Sequence, residues 1–441
     1  MSSRPAAEVF GETQTLELYL KIEVALALAQ AEVGVIPEHA AREIAQRATL
    51  AALDLPQIRQ QVVHTGYAVS PLVRQLTKAC GEAGRFVHWG ATTQDIVNTA
   101  LALQVGEALA GLQVRIEQLA QALATLVRAH GNSVMPGRTF GGHALPITFG
   151  FKAACWLSSV LRHFERVRAA CAQGMPGEFG GAAGTLASLQ GDGLVVRAAF
   201  MRRLGLREST ITWGAMRDEV FDRVALLAGV TNTLAKMAQD VSELASTEIS
   251  ELAEPQTGGK DTSSTLPLKS NPIQCAHIVG DATMVGQHAM TVLLAGRQHQ
   301  ERSGEGLLEM RVVGPAFVIA ERCLDSAVSL MAGLQVFPAR MRRNLDATHG
   351  VVLGERFMMA LAPRLGRLQA HDLVHEACIA AVESGTPLNT VLAGMPAVRD
   401  VLSVTELHAL ADPTDYLGSA QELCAAVLQQ ANKALLVAED E

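Results

Sequence analysis

Residues 258–272 read G-G-K-D-T-S-S-T-L-P-L-K-S-N-P and interrupt a sequence that is otherwise dominated by helical patterning. The stretch cannot itself be helix. Pro267 and Pro272 each lack a backbone donor and push the preceding residue towards extended geometry. The glycine pair at its start admits backbone angles that most residues avoid. It nonetheless gathers Lys260, Ser263, Ser264, Lys269 and Asn271 within a dozen residues. A long loop of hydroxyls and ammonium groups between long helices is either a solvated connection or a functional segment, and such loops often carry function.

The flanks decide the fold class. From Val105, apolar residues recur at Leu109, Leu112, Ile116, Leu119, Leu123 and Leu126, in alternating steps of four and three. Val220, Val224, Leu227, Thr231, Leu234, Met237, Val241 and Leu244 form a second such stripe. Both predict long helices with a buried face. A helix of about 30 residues is about 45 Å long, so several of them fit a bundle extended by oligomerisation. Residues 11–33 and 39–64 read as further helices with short breaks, the first opening between Thr13 and Leu18 and ended by Ile36 and Pro37. F-G-G-A-A-G-T from Phe179 interrupts the helices, and shorter helices follow from about Val351. Strand signal is sparse, and no Asn-Gly or Asp-Gly turn joins two apolar strands. The expected class is all-α.

Composition narrows the function. The 441 residues are 49% hydrophobic, 18% charged and 4% aromatic, with a net charge of -8, as expected of a helical enzyme with a large core. No basic cluster is interleaved with aromatics, so nucleic acid is not an expected partner. The N-terminal residues lack an apolar signal core and no apolar run is long enough to span a bilayer, so a cytoplasmic protein without a membrane partner is expected. Seven scattered cysteines without a C-x-x-C pair suggest neither a metal site nor a disulfide frame.

Four polar, glycine-punctuated stretches fall at helix ends: 64–71, 88–95, 137–148 and 258–272. Each has a structural reading beside a functional one. His88, next to Trp89, reads as a packed core histidine; Thr92 and Thr93 read as helix caps. Asp95 suits the first turn of the following helix, near its positive end. His143 is either a satisfied buried histidine or an acid/base, and Arg138 either an internal ion-pair partner or a substrate donor.

Taken together, these segments resemble the fumarase/aspartase superfamily. S-S-T-L-P-L-K-S-N from Ser263 is similar to its signature loop, S-S-x-x-P-x-K-x-N. H-W-G-A-T-T-Q-D from His88 resembles the first block, which holds a substrate carboxylate, and G-R-T-F-G-G-H-A-L-P from Gly137 resembles the second. The resemblance implies a three-domain fold: an N-terminal helical domain at 1–104, a central long-helix domain at 105–350 and a C-terminal helical domain at 351–441. It also implies a homotetramer built on the central helices, with active sites shared between subunits, and catalysis without a cofactor.

Within the superfamily, F-G-G-A-A-G-T-L-A-S from Phe179, R-R-N-L-D-A-T-H-G from Arg342, L-G-R-L-Q-A-H-D-L from Leu365 and D-P-T-D-Y-L-G from Asp412 resemble the branch of bacterial 3-carboxy-cis,cis-muconate cycloisomerases. The ammonia and fumarate lyases place a histidine after G-R-T and a glutamate seven residues beyond the signature lysine. Those positions are Phe140 and Ala276 here, as in the cycloisomerases, which have a histidine where His143 lies. The resemblance implies Ser263, His143 and Lys269 as catalytic residues. It implies His88, Thr92, Thr93, Gln94, Arg138, Thr139, Ser264 and Asn271 as substrate-binding residues for a small polycarboxylate. An elimination lyase releasing fumarate from a succinate-type substrate is the alternative, and a non-catalytic relative a third.

The sequence departs from that branch in the loop. Leu268 and Ser270 stand where the branch has histidine and arginine, Lys260 and Asp261 where small residues are usual, and the run from Glu301 lacks its tryptophans. Fewer cations near a tricarboxylate remove favourable charge pairing. A less anionic or differently shaped substrate is therefore expected.

Overall fold

The computed structural model describes residues 4–255, 271–297, 299–304 and 306–436. Among these, helices dominate. In chain order the elements used below are α1 (Glu12–Val33), α2 (Thr93–Ala129), β1 (Val134–Thr139), β2 (Gly142–Thr148), α3 (Phe149–Gln173), α4 (Gly193–Leu204), α5 (Asp218–Leu244), β3 (Leu252–Ala253), α6 (Ile273–Ala295), α7 (Gly306–Ala332), β4 (Gln335–Val336), α8 (Gly354–Leu365) and α9 (Arg367–Ser384).

Both predicted stripes are buried. Val105, Leu109, Leu112, Ile116, Leu119, Leu123 and Leu126 all lie inside on α2, and the eight residues from Val220 to Leu244 lie inside on α5. Thr231, the one hydroxyl in the second stripe, donates to the Leu227 carbonyl one turn back, so its burial leaves no unpaired donor. α1 spans nearly the 11–33 expected and stops short of Ile36–Pro37. Gly34 adopts a left-handed conformation at φ +89°, and its N–H and that of Val35 return to the carbonyls of Ala31 and Gln30. The stretch 39–64, expected to be helical with short breaks, is two helices, Glu38–Arg47 and Leu55–Thr65; Asp54 caps the second through the N–H of Gln57 and Pro56 opens it.

The chain forms two compact units. The first comprises Met1–Arg115, Phe164–Asn232 and Gly280–Leu324. Within it α1 packs on α4, and their apolar faces share a core with Leu72, Leu76, Ile96 and Phe179. The second comprises Ile116–His163, Thr233–Val279 and Asp325–Glu441. There α8 packs on α9 around Phe357, Leu361, Val374 and Leu388. The second unit also contains the antiparallel hairpin β1–β2 and the short antiparallel pair β3–β4.

The polar, glycine-punctuated stretch 137–148 falls in this hairpin, directly before α3. Its tip is Phe140–Gly141, with φ +51° and +81°, so both central residues are left-handed, as a tight two-residue hairpin turn requires. No helix of the described residues is long and apolar enough to cross a membrane.

Candidate active site

In the first unit the His88–Asp95 block forms a turn that delivers the N-terminus of α2. His88 and Gly90 take left-handed angles, φ +60° and +72°, and Gln30 holds the turn by donating its amide to the Trp89 carbonyl at 2.6 Å. Asp95, in the first turn of α2, is buried and accepts three backbone N–H groups: Thr92 at 2.9 Å, Gly180 at 2.9 Å and Gly181 at 3.1 Å. One carboxylate thus joins the helix start to the glycine-rich segment 85 residues on. Burial pushes the Asp95 carboxyl up, opposed by those three donors and by His88.

Glycine is required in that segment. A Cβ at Gly184, whose φ is +88°, would come within 2.5 Å of Thr212 Cγ2. Buried Glu178 fastens the other side, accepting from Thr212 Oγ1 at 2.6 Å and Trp213 N at 3.0 Å. Burial pushes its carboxyl up as well.

Between these segments lies a cavity of about 210 Å³, lined by Thr92, Gln94, Gly184, Thr212 and Arg302 among others. Thr92, Thr93 and Gln94 are half-buried, and neither threonine hydroxyl has a partner among the described residues. Gln94 donates to Asn98 Oδ1 at 2.7 Å. Free hydroxyls beside the positive end of a 37-residue helix suit a carboxylate.

His88 is half-buried rather than packed in the core. Its Nδ1 lies 2.6 Å from Oε1 of Glu23, whose side chain is 1% exposed. Burial opposes the charged imidazole, but the hydrogen bond and charge of Glu23, with Asp95 behind it, raise its pKa overall.

In the second unit β1 carries Arg138 and Thr139, and β2 carries His143 as the cross-strand partner of Arg138. His143 is exposed and makes no hydrogen bond among the described residues, so it is not a satisfied core histidine. Desolvation and the Arg138 guanidinium push its pKa down, while Glu251 pulls the other way. Arg138 forms a two-point ion pair with Glu251, Nη1 to Oε2 at 2.9 Å and Nη2 to Oε1 at 2.7 Å. Glu251 Oε1 also accepts from Asn344 Nδ2 at 2.8 Å, and Asn344 and Arg340 both donate to the Ile249 carbonyl. Three residues on, Glu254 caps α6, accepting from Gln274 N at 3.1 Å and Cys275 N at 2.7 Å. Half-buried Asn271 lies just before that helix, its carbonyl accepting from Ile273 N at 2.9 Å.

Thr92 and Gln94 therefore share one cavity, and Arg138 and His143 share one hairpin. Ser263, Ser264 and Lys269, with Lys260, Asp261, Leu268 and Ser270, lie outside the described residues. Sequence reasoning missed Glu23, Glu178, Glu251 and Glu254 as organising carboxylates. The latter two carried a signal, being acids in an otherwise apolar S-E-L-A-E-P run directly before the loop. Among the described residues no group of three or more histidine, cysteine or acidic side chains is placed to hold a metal.

Comparison with known proteins agrees along the chain. The profile of a lyase family matches residues 4–286, and that of the adenylosuccinate lyase C-terminus matches 350–427. A 3-carboxy-cis,cis-muconate cycloisomerase of Acinetobacter baylyi is 36% identical over 97% of this chain and 96% of its own. The crystal structure of a fumarate lyase from Mesorhizobium sp. BNC1 superposes with a TM-score of 0.91 at 42% identity, covering 97% of this chain and 99% of that one. That of the 3-carboxy-cis,cis-muconate lactonizing enzyme of Pseudomonas putida gives 0.91 at 34% identity, covering 97% of each.

Proposed function

The chain belongs to the fumarase/aspartase superfamily and is an enzyme of that family, and from this we propose that it lactonises 3-carboxy-cis,cis-muconate or a close analogue, without a cofactor, in the cytoplasm. The observation that carries this reading is the full-length similarity to the Acinetobacter and Pseudomonas enzymes. Phe140 and Ala276, standing where the eliminating lyases have histidine and glutamate, support it.

In the reaction, one carboxylate oxygen of the substrate adds to a conjugated double bond, closing the lactone ring. The displaced electron pair moves into a second carboxylate, which becomes an aci-carboxylate dianion, and a proton then bonds to the adjacent carbon. The protein must stabilise the dianion and supply the proton. Thr92, Thr93 and Gln94, at the positive end of α2, are the donors for a carboxylate; Lys269, Asn271, Arg138 and Thr139 add to them, with His88 and Ser264 lining the substrate.

Ser263 or His143 delivers the proton. A serine does so with a nearby cation such as Lys269 stabilising its alkoxide. His143 is the other acid/base candidate, since histidine is the side chain whose charge ordinarily changes near neutral pH. The reading includes a homotetramer with sites drawn from several copies, each chain divided at 1–104, 105–350 and 351–441.

The test is loss of the substrate's conjugated-diene absorbance with enzyme, Ser263→Ala and His143→Asn. Turnover that survives both substitutions overturns the mechanism. The 42% identity to the Mesorhizobium fumarate lyase favours elimination as the second reading, and release of fumarate from N-substituted aspartates would establish it.

A further inference from the structure

A second cavity, of about 480 Å³, lies wholly within the first unit, between α1, α2 and α7. Its walls are mainly apolar, with Phe10, Val97, Leu101, Val313 and Val318 among them. Two polar groups in this lining have no partner among the described residues. Asn98 is 0% exposed, and although its Oδ1 accepts from Gln94 and Arg217, its Nδ2 donates to nothing. Tyr19 is 4% exposed and its hydroxyl is likewise unpaired.

An unsatisfied buried amide costs stability unless something accepts from it. Charge in the lining cancels. Arg217 is clamped by Glu309, Nε at 3.0 Å and Nη2 at 2.5 Å, and stacks on Trp213 outside the cavity. Apolar walls, cancelled charge and unused donors are the features of a site for a small organic ligand.

We propose that this cavity is a second binding site, which takes a small neutral molecule with an apolar body and a carbonyl-type acceptor that receives the Asn98 Nδ2–H. It is separate from the carboxylate-binding cavity at Thr92, although Gln94 lines both. Burial pushes the Tyr19 phenol up to about 12, so it stays a neutral donor across the working pH range.

The probe is acetophenone, titrated into the full-length protein by calorimetry and ligand-observed NMR, with ethylbenzene as the same shape lacking an acceptor. Saturable acetophenone binding is expected, at least tenfold tighter than ethylbenzene. Val97→Phe, which fills the cavity with an apolar ring, should abolish it, and Asn98→Leu should bring acetophenone down to the level of ethylbenzene. The comparison of probes on unmodified protein stands even where Asn98→Leu does not fold. Equal binding of the two probes, unchanged binding to Val97→Phe, or no saturable binding, as for a cavity that holds water alone, would overturn the proposal.

Discussion

Arg138 and Glu251, 113 residues apart, form a two-point ion pair in which the carboxylate side chain is fully buried and the guanidinium side chain only 11% exposed. Removing one partner strands a buried charge, whereas replacing both by apolar groups is often neutral. Glu251→Ala is therefore expected to cost about 3–5 kcal/mol of folding stability. Arg138→Met with Glu251→Met should recover most of that loss. Urea denaturation of the two singles and the double checks it, and additive losses would refute the coupling.

The His88–Glu23 contact gives a pH dependence with a definite sign. The folded-state pKa of His88 is raised above its usual 6.5. A raised histidine contributes stability that is fully present below the unfolded value and is lost as pH rises through the folded value. The advantage of the unmodified protein over Glu23→Gln should thus be largest below about pH 6.5 and shrink above the raised pKa. Denaturation of both proteins from pH 6 to pH 9 measures it. A difference that stays constant across that range would show that His88 carries no linked proton.

The proposed function puts carboxylate recognition at the start of α2, so Thr92 is the position to probe there. A hydrogen bond to a charged group is worth about 1.5–3 kcal/mol, a factor of roughly ten to a hundred. Thr92→Val keeps the shape and removes the hydroxyl. It should raise KM by about that factor while leaving the thermal midpoint nearly unchanged, since the residue's structural bond to Asp95 comes from its backbone N–H. An unaltered KM would place the substrate carboxylate elsewhere.

These carboxylate contacts also mark where the sequence was legible. The stripes on α2 and α5 were readable because burial of one helical face imposes a period that survives in a single chain. The candidate substrate blocks stood out as polar, glycine-punctuated interruptions of that period. The β1–β2 hairpin was not. Its strands contain Gly137, Pro136 and Pro146, which break alternation, and its turn is Phe140–Gly141 in place of Asn-Gly. Nor were the pairings of Glu23 with His88, Glu178 with Thr212 and Glu251 with Arg138. A glutamate in a helical or turn sequence looks solvated until the fold brings its partner, 34 to 113 residues away, into the same dry volume.

Glu254 is the distant cap of α6. Its carboxylate takes two of the N–H groups that a helix start leaves unpaired. Glu254→Ala should cost about 0.5–2 kcal/mol, as lost caps do, and Glu254→Gln less, because an amide oxygen still accepts. Because Asn271 lies just before the capped turn, activity in Glu254→Ala should fall more than stability does. Equal loss in both, read from turnover and urea midpoints, would limit Glu254 to a structural part.

Leu268 and Ser270 are the positions at which to test substrate choice, since the loop of the cycloisomerase branch that this sequence resembles has a cationic pair there. A tricarboxylate needs one more charge partner than a dicarboxylate. Each charge-assisted bond contributes about 1.5–3 kcal/mol where water is excluded. The unmodified enzyme should therefore discriminate weakly between 3-carboxy-cis,cis-muconate and cis,cis-muconate. Leu268→His with Ser270→Arg should shift the ratio of their kcat/KM values towards the tricarboxylate by roughly ten- to a hundredfold, mostly through KM. If the unmodified enzyme already prefers the tricarboxylate by that margin and the double variant adds nothing, the third carboxylate is held by cations outside the loop, and the two substitutions have no bearing on specificity.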